Sequence, residues 1–353
     1  MRDLLSAALS LCQAILLVFA GGVTPAHAFE IESFTRFAAP QPGAFELRVI
    51  STADTELFTP IILSFQEANP RITIDYTTIS SAQLMQAITG EGAVFDVAIS
   101  SAMDLQTKLA NDGFTQPHRS GATELLPPWA KWRDHVFAFT QEPAAVVISP
   151  AAFEGLNVPR NREDIIALLR AYPERFRGRI GTYDVRKSGL GYLFATQDSR
   201  QSETFWRLAE VMGSLNARLY CCSSDMIEDV ASGRIALAYN VLGSYAAART
   251  DLAGQRRIIE PQDFTTVMLR SALIPASAPN PELAGHFIDH LIRLSWGKAD
   301  PASYPFPPII PDPAAGNNPS LRPIRLGPGL LVYLDDLKRQ HFLRAWEAAM
   351  VRL

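Results

Sequence analysis

Four short stretches of the chain carry hydroxyls, charges and glycines at spacings that could hold a ligand. They are "STADT" (51–55), "SSAMD" (100–104), "YDVRKSG" (183–189) and "YNVLGSY" (239–245). Each follows an apolar run that reads as a strand, and three lead directly into a helical pattern. In open α/β sheets, ligands gather outside the carboxyl ends of the strands. A helix that starts there offers unpaired N–H groups and the positive end of its dipole, which suits an anion. The candidate ligand contacts are therefore Thr52, Asp54, Thr55, Ser100, Ser101, Arg186, Ser188, Gly189, Tyr239, Asn240, Gly243, Ser244 and Tyr245. Arg186 is expected to offset ligand charge, because a guanidinium grips a carboxylate or phosphate with two hydrogen bonds. Gly243 would let the backbone approach, Ser244 would donate a hydroxyl, and Tyr239, Asn240 or Tyr245 would wall the pocket. Helix capping explains any one of these Ser, Thr or Asp residues equally well. Four such loops, two from each half of the chain, are harder to assign to capping alone.

Nothing in the sequence argues for catalysis. There is no G-x-S-x-G elbow, no phosphate-binding P-loop, no G-x-G-x-x-G and no H-E-x-x-H. His286 and His290 lie four apart on a helical pattern, but Leu283, Ala284, Phe287, Ile288 and Leu291 claim its buried face. The two histidines are expected on the solvated face with Asp289 and Arg293. His118 and His135 stand alone, and Asp96 reads as a structural carboxylate at a strand edge. After residue 28 the chain holds two cysteines, Cys221 and Cys222. They read as either a vicinal disulfide or two free thiols, and they supply no zinc site, which wants four spaced ligands. No metal and no cofactor is expected.

The elements that must position these loops alternate. "FELRVIS", "RITIDYTTI" and "VFDVAIS" read as strands, with helices after each, so the first half is α/β with a parallel sheet. "HVFAFTQEPAAVVISP" reads as two strands broken near Glu142-Pro143, the second crossing to another lobe. "NREDIIALLRAY", "SETFWRLAEVMGSL" and "SSDMIEDVASG" read as helices there, and "RIALAYNV" as a strand. "FTTVMLRSALIP" reads as one strand returning to the first lobe, and "NPELAGHFIDHLIRL" as an amphipathic helix. Residues 295–328 are proline-rich, hence extended and irregular, and "LVYLDDLKRQHFLRAWEAAM" closes the chain as a helix. The expected division is 1–28, 29–143 (first lobe), 144–272 (second lobe) and 273–353 (return to the first lobe). Hinges are expected near Glu142–Val147 and Leu273–Pro275.

Residues 1–28 have Arg2, an apolar run and a terminal Ala26-His27-Ala28, the layout of a cleaved export signal. The expected location is therefore the periplasm. At about 150 residues per domain, 353 residues suit two lobes. A net charge of −4 with dispersed signs leaves no basic footprint for nucleic acid.

The phrases "FDVAISSAMDLQTKLANDGF", "RFRGRIGTYDVRKSGLGYLFA", "DMIEDVASGRIALAYNVLGSY" and "NPELAGHFIDHLIRL" resemble the extracellular solute-binding proteins of ABC importers. The resemblance is to the type II periplasmic fold and its ferric-binding branch, over roughly 45–294. It implies an α/β fold of two lobes, each a mostly parallel sheet flanked by helices. It also implies a monomer that is not an enzyme and that delivers its ligand to an ABC permease. Presentation of the ligand to a membrane sensor kinase is one alternative role, ferric-ion binding is a second, and an exported enzyme is a third, disfavoured by the missing motifs. In ferric-binding relatives two adjacent tyrosines follow the "ALAYN"-type strand and ligate iron. Here those positions are Gly243 and Ser244, with Tyr245 alone just after. The resemblance therefore implies a small organic anion (a carboxylate, phosphonate or phosphate ester) in place of Fe(III).

Overall fold

The computed structural model describes residues 29–43, 45–296, 300, 302–307, 309 and 319–351. The expected export signal and the centre of the proline-rich run lie outside the described residues. The fold lies within one compact unit, Ile31–Leu353. Among the described residues no helix is long and apolar enough to cross a membrane.

The first sheet collects β1 (Ser33–Phe37), β2 (Phe45–Ser51), β3 (Ile72–Thr78), β4 (Val97–Ser100), β5 (Thr115–Gln116), β6 (Lys131–Trp132) and β7 (Val136–Ala138). The chain then crosses to a second sheet of β8 (Glu142–Ile148), β9 (Ile180–Tyr183), β10 (Arg218–Tyr220), β11 (Leu237–Leu242), β12 (Arg257–Ile259) and β13 (Thr265–Met268). Strand β14 (Ser271–Pro275) returns to the first sheet, and β15 (Leu321–Pro323) joins the second. Each sheet has a parallel core, β3-β2-β4 in the first and β10-β9-β11 in the second. Antiparallel strands extend both: β1 and β14 in the first, β8 and β12 in the second. The architecture is α/β with two mixed sheets, and we call the part built on each sheet a lobe.

In the first lobe, β2, β3 and β4 are followed by α1 (Thr55–Ala68), α2 (Ser81–Thr89) and α3 (Met103–Asn111). Phe58, Ile61, Ile62 and Phe65 recur at helical spacing on α1 and are buried. Phe58 stacks on Tyr76 and meets Phe139 edge-on. The second lobe carries α4 (Arg162–Ala171), α5 (Gly189–Gln201), α6 (Thr204–Ser214), α7 (Ser223–Ala231) and α8 (Gly243–Ala248). Helix α9 (Pro281–Trp296) belongs to the first lobe, where Phe287 packs edge-on against Phe65.

Three expectations need correction here. First, the closing helix α10 (Asp336–Met350) does not return to the first lobe. Its Phe342, Trp346 and Met350, four apart on one stripe, enter the second-lobe core with Phe205, Leu208 and Met212. The fit to α6 is close: a Cβ on Gly213 would lie 2.1 Å from the Ala349 carbonyl oxygen. Second, "FTTVMLRSALIP" is two strands in different sheets, and the break falls at Leu269-Arg270. The chain changes sheets there and at 139–141; Glu142–Val147 and Leu273–Pro275 lie inside strands. Both crossings are pinned together. Arg270 and Glu142, each fully buried, pair at 3.1 Å, and Thr140 donates to Glu142 and accepts from the Arg270 amide. Third, the α9 polar residues are not uniformly solvated. Asp289 is buried and accepts from Ser120 Oγ while His118 Nε2 lies 2.9 Å away, so His118 has a partner. His290 is half-buried edge-on against Phe65, and burial with nearby Arg293 pushes its pKa down to about 4.

Candidate functional site

The carboxyl ends of the parallel strands from both sheets converge on a partly open cavity of about 70 Å3 between the lobes. From the first lobe it is lined by Thr52, Asp54, Ser80, Ser81, Ser101, Ile79 and Glu32. From the second it is lined by Tyr183, Lys187, Ser188, Cys221, Cys222, Ser223, Ser224 and Tyr245, with Leu190 and Leu242. Three hydrogen bonds cross between the lobes beside this space. Ser224 Oγ donates to Asp54 Oδ2 at 2.6 Å, the Asp54 amide donates to the Tyr245 hydroxyl at 3.2 Å, and the Gly189 amide donates to Ser81 Oγ at 2.9 Å.

Of the sequence-predicted residues, the structure brings Thr52, Asp54, Ser101, Ser188 and Tyr245 onto the cavity, and Gly189 beside it. Ser188 is also the cap of α5, accepting from the Gly191 amide. Asp54 behaves differently. It holds the N-cap position of α1, yet its carboxylate makes no capping hydrogen bond and reaches across to Ser224. A cap carboxylate withdrawn in this way forgoes about 1 kcal/mol of helix stabilisation, so its position is explained by the cleft and not by α1. Thr52 Oγ1 accepts from the Ser101 amide and so joins the two loops that follow β2 and β4.

The other predicted residues serve the framework. Arg186 turns away from the cavity: its guanidinium holds Asp184 with two bonds of 2.8 Å and lies 3.6 Å from Glu347. Burial raises the Asp184 pKa, but the Arg186 hydrogen bonds overcome this and leave it lowered. Tyr239 and Asn240 lie within β11, not after it. The β11–β8 register shifts between Ala238 and Val241, and Asn240 takes a left-handed φ of 62° at that bulge. There Tyr239 accepts from Arg162 Nε and donates to Asp198, while Asn240 Nδ2 also donates to Asp198. This knot is buried, and neither Tyr239 nor Asn240 lines the interlobe cavity. Gly243 approaches β8, not a ligand: a Cβ there would lie 3.2 Å from the Pro143 carbonyl oxygen. Ser244 donates to buried Glu142. Ser100 Oγ accepts from the Ala102 amide, and Thr55 Oγ1 pairs with Thr78.

Sequence reasoning missed Ser80, Ser81, Lys187, Tyr183 and the run Cys221-Cys222-Ser223-Ser224. The signal was available for most of them. Ser80 and Ser81 follow β3 as the named loops follow β2 and β4, and Ser223 follows β10. Tyr183 and Lys187 sit inside the quoted "YDVRKSG". Cys221 and Cys222 form a vicinal disulfide at the cavity wall. Among the described residues the Lys187 side chain makes no ion pair or hydrogen bond, only its amide donating to the Asp184 carbonyl, so its ammonium is available to a ligand. Burial pushes the Tyr183 and Tyr245 phenols up, which keeps them protonated. Tyr183 shares a hydrogen bond with Ser223, whose Oγ also accepts from the Leu242 amide.

The arrangement can bind a small polar solute between two lobes. Residues 47–293 match the family model described as bacterial extracellular solute-binding protein. A substrate-binding protein of an ABC transporter from Agrobacterium tumefaciens is 34% identical and superposes with a TM-score of 0.83, covering 91% of this chain and 99% of that one. The periplasmic binding protein AfuA from Actinobacillus pleuropneumoniae, solved with exogenous fructose-6-phosphate, shares the fold at 13% identity (TM-score 0.66; 87% and 99% covered). Iron-bound HitA from Pseudomonas aeruginosa does so at 16% identity (TM-score 0.64; 87% and 99% covered). No curated protein was found to match the sequence. With a family match over most of its length and a type II periplasmic fold around an interlobe cavity, the chain belongs to the bacterial extracellular solute-binding proteins.

Proposed function

We propose that the protein captures a small organic anion in the periplasm and hands it to the permease of an ABC importer. The observation that carries this reading is the cavity itself. It takes hydroxyls from both lobes and an unpaired ammonium, Lys187, and the α2, α5 and α7 N-termini open beside it. Donors on opposite lobes mean that a bound oxyanion holds the lobes together, as closure around a ligand requires. Ferric binding is the second reading, favoured by two tyrosines, Tyr183 and Tyr245, on the cavity with Asp54. It ranks lower because burial keeps both phenols protonated and each already has a hydrogen-bond partner.

A thermal-shift screen of organic anions and ferric salts tests the choice. A ligand at 100 times its Kd adds about 2.7 kcal/mol, a readable rise in Tm. A rise with small phosphonates or carboxylates is expected. A rise with ferric salts alone, with a phenolate charge-transfer band, would replace this reading with the iron one.

A further inference from the structure

The charges around the cavity do not match a simple anion. Its lining sets the Asp54 carboxylate and the Lys187 ammonium on the same cavity. A carboxylate there repels a ligand that bears only negative charge. Asp54 is also the N-cap residue that caps nothing. Its two oxygens accept about four hydrogen bonds; Ser224 supplies one, and capacity remains for another donor. The Tyr245 ring already carries the Arg270 guanidinium, 5.5 Å from its centroid, so the acceptor on this wall for a ligand ammonium is the Asp54 carboxylate. Lys187, the serine hydroxyls and the helix starts form a surrounding for an oxyanion.

Resting on the reading of this cavity as an oxyanion-binding site, we infer that its solute is a short zwitterion, with a primary ammonium at Asp54 and a phosphonate or carboxylate toward Lys187. Size points the same way. A cavity of about 70 Å3 holds roughly five water-sized volumes, which suits a solute on the order of five to seven non-hydrogen atoms. An amine joined to an oxyanion by a short carbon chain fits both the size and the charge pattern.

Calorimetry on the wild-type chain with matched pairs tests this: 2-aminoethylphosphonate against ethylphosphonate, and β-alanine against propionate. The aminated member of at least one pair is expected to bind about tenfold or more tightly than its amine-free partner, the scale of one charge-assisted contact. Asp54→Asn should remove that preference, so that the aminated member and its amine-free partner then bind within about twofold of each other. If the amine-free anion binds as well as its partner, the zwitterion is overturned while the oxyanion site stands. If none of the four binds and ferric ion does, the oxyanion reading itself falls. Binding of none of these also overturns the inference.

Discussion

Two neighbouring side chains in one loop, Arg186 and Lys187, divide the work in a way their residue types do not reveal. The guanidinium is the better oxyanion clamp in general, yet it is spent on Asp184 and Glu347, whereas the lysine faces the cavity. Arg186→Ala is therefore expected to leave solute affinity within about twofold. Lys187→Ala should weaken it by about tenfold, the lower end for a lost charge-assisted bond because Lys187 is exposed at the cavity mouth. Calorimetry with the tightest-binding anion of the screen checks both, and the reverse order would contradict the assignment. Gly189 belongs to the same scale. A Cβ there would lie 2.6 Å from Ser81 Oγ and 3.0 Å from Leu105 Cδ1, both on the other lobe. Gly189→Ala should lower affinity several-fold by opposing closure, with little change in the Tm of the ligand-free protein.

At the scale of elements, the crossings and α9 make the sharpest predictions. Removing one partner of a buried ion pair strands the other, at a cost of about 3–5 kcal/mol. Glu142→Gln should cost that much in urea unfolding, since Arg270 is fully buried and Ser244 and Thr140 also lose their acceptor's charge. On α9, His290 faces Phe65, the Ile61 backbone and Arg293, and its folded pKa of about 4 lies below the ordinary 6.5. The unfolded chain thus takes up this proton first as pH falls. Stability from this group is complete above about pH 6.5 and is lost as pH falls toward 4. His290→Leu should flatten that part of the Tm–pH curve; an unchanged slope would show that His290 is not the group responsible. The sequence made the elements legible where apolar spacing is strong, as in α1, α9 and the parallel strands. It did not show that the stripe Phe342, Trp346, Met350 packs on α6, because an amphipathic face names no partner. Nor did it show the break at Arg270, because β13 and β14 are both buried and read as one apolar run.

For the whole molecule, the rule that ligands gather at strand carboxyl ends points to loops of both lobes that line the interlobe cavity. It failed within loops, because it cannot tell which side chains a bulge or an internal ion pair withdraws. Tyr239 and Asn240 were lost to the Arg162–Asp198 knot, and Ser244 to Glu142. Residues of both lobes meet in one cavity, and that is the feature on which the account rests. Hydrogen-exchange mass spectrometry with and without a saturating solute, the tightest binder of the aminophosphonate and amino-acid pairs, tests it most directly. The account predicts coincident protection of segments 52–55 and 80–84 on one lobe and 187–191 and 222–226 on the other. Protection confined to one lobe, or none at saturation, would contradict a solute held between them.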